Sequence, residues 1–219
     1  MDQDLKNSVL KSGTTILGIV CKDGIVMASD RQSTAGTIVM KKNSDKTIPI
    51  GNYFLYAGCG VSSAIQKLSK ILEAELRLKE LRSKSRPTVK EAANLLGALI
   101  YNNIRQFTRV EDVVGALIGG FNEDGSVELY TLDPAGLIDK VEDYDASVGS
   151  GMPFSLGLLE RQYKKDLNVK QGIELAKECL LSSTQRDVGS GYGVDIFTIT
   201  KEGIKKVFEQ ELKAELKSR

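Results

Sequence analysis

The chain has 219 residues, room for one large domain with a full hydrophobic core, and its 30 basic residues almost cancel 29 acidic ones. That balance lacks the positive excess of a nucleic-acid binder, no apolar stretch reaches bilayer length, and the polar opening residues 1–8 do not resemble a signal peptide. There is no histidine, and Cys21, Cys59 and Cys179 are too scattered for a disulfide framework or a zinc knuckle, so each reads as a small buried hydrophobe in a soluble cytoplasmic protein.

In chain order, residues 14–20 and 24–29 read as two strands joined by a hairpin at Lys22-Asp23-Gly24. Short strands follow at 36–40, 46–50 and 53–58. The period then changes: from Ser62 to Ser83, Ile65, Leu68, Ile71, Leu72, Leu76 and Leu78 recur at helical spacing among charges. Thr88 with Glu91 makes a capping box that opens a second helix, carrying Ala92, Leu95, Leu96, Leu99, Ile100 and Ile104. Strands return at 113–121 and 127–132, with turns at 122–125 and 133–136. Beyond Gly149-Ser150-Gly151, helices are expected over 153–165 and, after an Asn168…Gln171 cap pair, over 169–183. Strands at 195–200 and 204–208 precede a charged tail, 209–219, which reads as a solvated helix end. Strands, two helices, strands, two helices and strands again predict one α+β domain. Two antiparallel sheets packed face to face, with a helix pair outside each, would bury every apolar face.

With no imidazole available, a nucleophilic hydrolase can use a terminal threonine, whose hydroxyl attacks while its own α-amine accepts the proton. The reference pKa of such an amine, roughly 7.7–8, leaves much of it neutral near physiological pH. Thr14, after Gly13 at the head of the first strand, is the candidate, although Gly-Thr-Thr on its own is ordinarily just a turn entering a strand. Asp30 ends the second strand and Lys46 starts a later one, so neighbouring strands could bring both beside Thr14. A lysine there would stabilise developing negative charge, and a buried carboxylate would hold the lysine. Taken singly, Asp30 is an ordinary turn former and Lys46 one lysine among several.

Gly13-Thr14-Thr15, Ala28-Ser29-Asp30-Arg31, Lys46, Gly58-Cys59-Gly60, Gly149-Ser150-Gly151 and Gln185-Arg186-Asp187-Val188-Gly189-Ser190-Gly191 occur in the order and spacing of the 20S proteasome β subunits. The chain resembles that family from Gly13 to about Thr200, most closely its archaeal members. The resemblance implies the four-layer α-β-β-α sandwich of the N-terminal-nucleophile hydrolases and a threonine endopeptidase acting on unfolded proteins. It implies Thr14 as nucleophile, Lys46 lowering the hydroxyl's pKa, Asp30 orienting Lys46, and the Gly60 N–H at the oxyanion position. Ser150, Asp187 and Ser190 match the shell around the threonine amine. The Gly13–Thr14 bond becomes a self-processing site, dividing a propeptide, 1–13, from a catalytic domain, 14–219.

By the same resemblance, substrate would pair as an added strand near Thr34, Gly60 and Ser62, and the side chain before the scissile bond would face Ser33, Ser44, Ile48 and Gly58. That lining is small and mostly uncharged, which favours apolar or neutral side chains. Ile16 and Ser63-Ala64 depart from the family, where Thr and Ala-Asp are common, without touching a residue given a chemical role. Implied partners are other β subunits in a seven-membered ring, α subunits capping it, and an ATPase regulatory particle. No metal or organic cofactor, nucleic acid or membrane is expected. A small-amide hydrolase of the same fold should lack the Arg186-Asp187…Ser190 run. A non-catalytic ring subunit should lose the threonine, the lysine or the glycine, whereas all three are present; a partner-dependent subunit, active only beside a second β type, would keep them and stays open as the alternative. A nucleotide-binding reading fails for want of a phosphate-binding glycine loop between strand and helix.

Overall fold

A computed structural model describes residues 13–36, 38–107 and 112–211. The first hairpin is β1 (Ile16–Cys21) and β2 (Gly24–Asp30), followed by β3 (Ser33–Ala35), β4 (Ile38–Lys41), β5 (Thr47–Ile50) and β6 (Phe54–Gly60). Helices α1 (Ser62–Ser83) and α2 (Val89–Ile104) precede β7 (Val114–Phe121), β8 (Val127–Leu132), β9 (Ile138–Lys140) and β10 (Tyr144–Asp145). Helices α3 (Met152–Gln162) and α4 (Val169–Arg186) lead into β11 (Gly193–Thr200) and β12 (Gly203–Glu211).

The strands form two five-stranded antiparallel sheets, ordered β10-β1-β2-β11-β12 and β5-β6-β7-β8-β9, with β3-β4 as a separate ribbon. Side chains alternate across a strand, so each central strand serves two cores. In β2, Ile25 and Met27 join Leu55, Leu117 and Leu129 of the other sheet, while Val26 and Ala28 pack with Leu159, Leu175 and Leu180 of α3 and α4. The opposite face of the second sheet, with Phe54, Tyr56 and Ile118, is covered by Leu68 and Leu72 of α1 and Leu96 of α2. No helix among the described residues is long and apolar enough to cross a membrane.

Both capping boxes form: Thr88 Oγ1 accepts from the Glu91 N–H, Asn168 Oδ1 from the Gln171 N–H, and the partner side chains reach back. Replacing Thr88 by alanine is expected to cost about 1 kcal/mol, read as a lower denaturant midpoint.

Several boundaries differ from expectation. Gly36 sits at φ +62° in the turn between β3 and β4, so the strand expected over 36–40 starts only at Ile38, and β3 before the turn was not expected. Helix α3 stops at Gln162 because Tyr163 turns extended (ψ 139°) and its hydroxyl donates to the Val20 carbonyl. Helix α4 continues past Ser183 to Arg186. Of the tail, Glu209 to Glu211 extend β12 as strand rather than helix, held by Glu209 to Arg31 and Lys206; 212–219, like 1–12 of the expected propeptide, lie outside the described residues.

Candidate active site

Asp30 ends β2 with its side chain fully buried, an arrangement that requires ion pairing and hydrogen bonds. Its Oδ1 accepts from the Lys46 ammonium at 2.7 Å and the Thr15 N–H at 2.9 Å. Its Oδ2 accepts from the N–H groups of Gln32 at 2.9 Å and Gly191 at 3.0 Å. Burial pushes the Asp30 carboxyl above its ordinary range, against the opposing pull of Lys46 and the backbone donors. Sheet geometry makes this possible. The Asp30 N–H donates to the Thr15 carbonyl at the open end of the β1–β2 hairpin, and Lys46 enters from the residue before β5. A Thr47-to-Ser29 hydroxyl bond of 2.9 Å ties β5 to β2.

Thr14 immediately precedes this cluster and is buried. Its Oγ1 donates to the Gly13 carbonyl oxygen at 2.6 Å, and the Lys46 ammonium donates to the same oxygen at 3.2 Å. On the other side, the Thr14 N–H donates to Ser150 Oγ at 3.1 Å, and Ser150 Oγ donates to Asp187 Oδ2 at 2.7 Å. Ser190 Oγ donates to that same carboxylate oxygen at 2.6 Å. With its hydrogen so committed, Ser190 accepts from the Thr15 hydroxyl at 2.7 Å. Asp187 is available for this because it caps the C-terminus of α4, where the helix gives way to extended chain.

Two glycines are required by space. A Cβ on Gly13 would lie 2.1 Å from the Gly189 Cα, so the two backbones pass in direct contact. Gly60 takes φ +119°, and a Cβ there would lie 2.1 Å from the Val113 carbonyl oxygen.

Beside Thr14 opens a cleft of about 470 Å³, within the range of pockets that take a small ligand. Ser33, Ser44, Ile48, Gly58, Gly60 and Ser62 line it. Thr34 is not in the lining; its hydroxyl accepts the Gly13 N–H at 2.8 Å, on the chain leading into Thr14. Lys41 and Asp45 also line the cleft, which is therefore more charged than the sequence indicated, and α1 adds Ile65, Gln66 and Ser69.

Three contributors were not singled out from sequence. Gln32 supplies one of the four donors to Asp30 and reaches the Val188 carbonyl through Nε2. Thr15 links the Asp30 and Asp187 clusters; its place one residue after Thr14 at a strand start was the available signal. Cys59 corrects an expectation: it is half-buried rather than a core residue. Burial pushes its thiol up while Lys46 and the Thr14 hydroxyl pull it down. Its position next to Gly60 in β6 could have pointed to this.

A family model described as proteasome subunit matches residues 10–199. The chain is 46% identical over 195 residues to a proteasome subunit beta of Nanoarchaeum equitans, covering 89% of this chain and 97% of that protein. It is 39% identical over 205 residues to proteasome subunit beta 2 of Pyrococcus abyssi, covering 94% and 95% of the two chains. Over 206 residues it is 37% identical to proteasome subunit beta 1 of Thermococcus onnurineus, covering 94% and 97%.

Proposed function

The chain belongs to the proteasome subunit family, alongside relatives that are β subunits, and from that premise we propose that it is a catalytic β subunit of the proteasome core, a threonine endopeptidase that cuts unfolded polypeptides inside a barrel of stacked rings. The observation that carries this reading is the convergence of the Thr14 hydroxyl and the Lys46 ammonium on the Gly13 carbonyl oxygen, at 2.6 and 3.2 Å.

In the uncleaved chain the Thr14 oxygen attacks the Gly13 carbonyl carbon, and Lys46 stabilises the negative charge that develops. The bond to the Thr14 nitrogen breaks, that nitrogen gains the proton given up by the hydroxyl, and an ester joins Gly13 to Thr14 Oγ1. Water hydrolyses the ester, leaving a carboxylate on Gly13 and freeing the hydroxyl and α-amine of Thr14. Residues 1–13 depart and 14–219 remain as the catalytic domain.

Substrate cleavage repeats these steps on an incoming peptide bond, with the freed amine as proton acceptor. Asp30 holds Lys46, the Gly60 N–H receives the oxyanion, and Ser150, Asp187 and Ser190 fix the amine. The two sheets and four helices are read as the four-layer α-β-β-α arrangement of N-terminal-nucleophile hydrolases. Partners on this reading are other β subunits in a seven-membered ring, α subunits, and an ATPase that feeds unfolded chains inward.

Particles assembled from this chain and its α subunit should hydrolyse unfolded protein and short fluorogenic peptides, and a threonine-directed electrophile should stop both. Well-formed particles that cleave neither would overturn the reading. Asp187→Ala, which leaves the Ser150 and Ser190 hydroxyls without their acceptor, is expected to slow peptide hydrolysis about 10²-fold, with Asp187→Asn recovering part of it. Comparison of kcat across the three particles checks this.

A further inference from the structure

The uncleaved peptide unit between Gly13 and Thr14 is held at both of its polar groups. Its carbonyl oxygen accepts from the Thr14 hydroxyl and the Lys46 ammonium, and its N–H donates to Ser150 Oγ. All three bonds lie on one side of the Gly13 α-carbon. The peptide plane turns about the bonds that flank it, and glycine, lacking a Cβ, restricts that rotation least of all residues. A residue with a side chain could be seated by it in the cleft beside Thr14, whereas Gly13 has none. Whatever aims its carbonyl must therefore grip its backbone.

Two contacts on the other side of Gly13 do so. Its N–H donates to Thr34 Oγ1 at 2.8 Å, and its α-carbon passes against Gly189, where a Cβ would lie 2.4 Å from it. Thr34 is buried and does not line the cleft, although its neighbour Ser33 does, as befits successive residues of a strand. A register shift between Ser33 and Thr34 sets Thr34 opposite Val39 rather than Met40, the kind of irregularity that re-aims a side chain. The two contacts are also fastened to one another. Gln32, two residues before Thr34, donates its N–H to Asp30 Oδ2 at 2.9 Å. Its Nε2 donates at 2.7 Å to the carbonyl of Val188, the residue before Gly189. The carboxylate that holds Lys46 thus also anchors the chain that carries Thr34.

We propose that the Thr34 hydroxyl is a positioning group for self-release: by holding the Gly13 N–H it keeps the Gly13 carbonyl aimed at Thr14 Oγ1. This role rests on Thr14 being the nucleophile that frees itself. The rate of an intramolecular attack depends steeply on the alignment of the reacting atoms, so a contact one bond removed from them is felt. Thr34 exchanges no proton with the reacting atoms and makes no bond to them, so its loss slows release without abolishing it.

The test mixes the full-length chain with its α subunit and follows, by intact mass, the conversion to a chain beginning at Thr14 in assembled particles. Thr34→Val keeps the shape of the side chain and removes its oxygen. Release should slow by about five- to tenfold, the scale of one lost hydrogen bond. Thr34→Ser keeps the oxygen and gives up a methyl group, and should release within about twofold of the parent. A side chain that mattered only for packing would give the reverse order, with Thr34→Val fast and Thr34→Ser slow. That result overturns the proposal, as does equal slowing in both variants or a Thr34→Val that matches the parent. Where Thr34→Val does not enter particles, Thr34→Ala carries the same expectation; failure of both to assemble assigns the hydroxyl to folding and overturns the proposal. In each of these cases a parent that loses residues 1–13 leaves the nucleophile reading standing. A parent that stays full length in well-formed particles overturns both.

Discussion

Thr14→Ala is expected to yield particles of normal size in which residues 1–13 remain attached and peptide hydrolysis is lower by at least about 10⁴-fold. The substitution removes the one hydroxyl that donates to the Gly13 carbonyl at 2.6 Å, while the Thr14 N–H to Ser150 and the Thr15 N–H to Asp30 stay in place. Processing and turnover should fail together, because both draw on the same oxygen. Thr14→Ser keeps that oxygen and should process itself. Mass measurement of the chain, with peptide hydrolysis on the same sample, checks both variants. Efficient cleavage after residue 13 in Thr14→Ala would mean that another protease performs it.

The second large effect is expected from Lys46→Met. Loss of the ammonium removes the charge that faces the developing oxyanion, for which a fall of about 10²–10³ in kcat is the usual scale. Breaking a buried pair by removing one partner also destabilises, by about 3–5 kcal/mol. The sign of the pH dependence follows from Asp30. Burial already pushes its carboxyl up and Lys46 opposes the shift, so the variant raises it further. The folded state then holds a proton that the unfolded chain releases near its reference value of about 3.9. The stability of the variant should be greatest below that value and decline as pH rises through the raised Asp30 pKa. Unfolding midpoints of variant and parent across pH would show this; a variant whose loss of stability is the same at every pH would contradict it.

Much of the architecture was legible because its signals are long. The two sheet cores come from runs such as Gly24–Asp30, buried at every position, and α1 and α2 from helical spacing and a capping box. What escaped was short or set by contacts distant in sequence. β9 and β10, of three and two residues, are too brief for a period to register, and they exist because β8 and β1 offer them an edge. Gly36 was read into a strand because its left-handed backbone leaves no trace in hydropathy.

At the candidate site, spacing and family resemblance pointed to Thr14, Asp30, Lys46, Ser150, Asp187 and Ser190, and the fold joins them in one hydrogen-bonded assembly. Gly60 reaches the same cleft. Cys59 was misjudged because apolar neighbours in sequence say nothing about a strand end that opens on a cleft. Thr34, expected along the substrate edge, holds the Gly13 N–H through its hydroxyl in the uncleaved chain.

The central claim, that Thr14 is a self-released nucleophile, is tested most directly by the intact mass of this chain inside the assembled particle. The account predicts a chain that begins at Thr14, having lost residues 1–13. A full-length chain persisting in well-formed particles would contradict it.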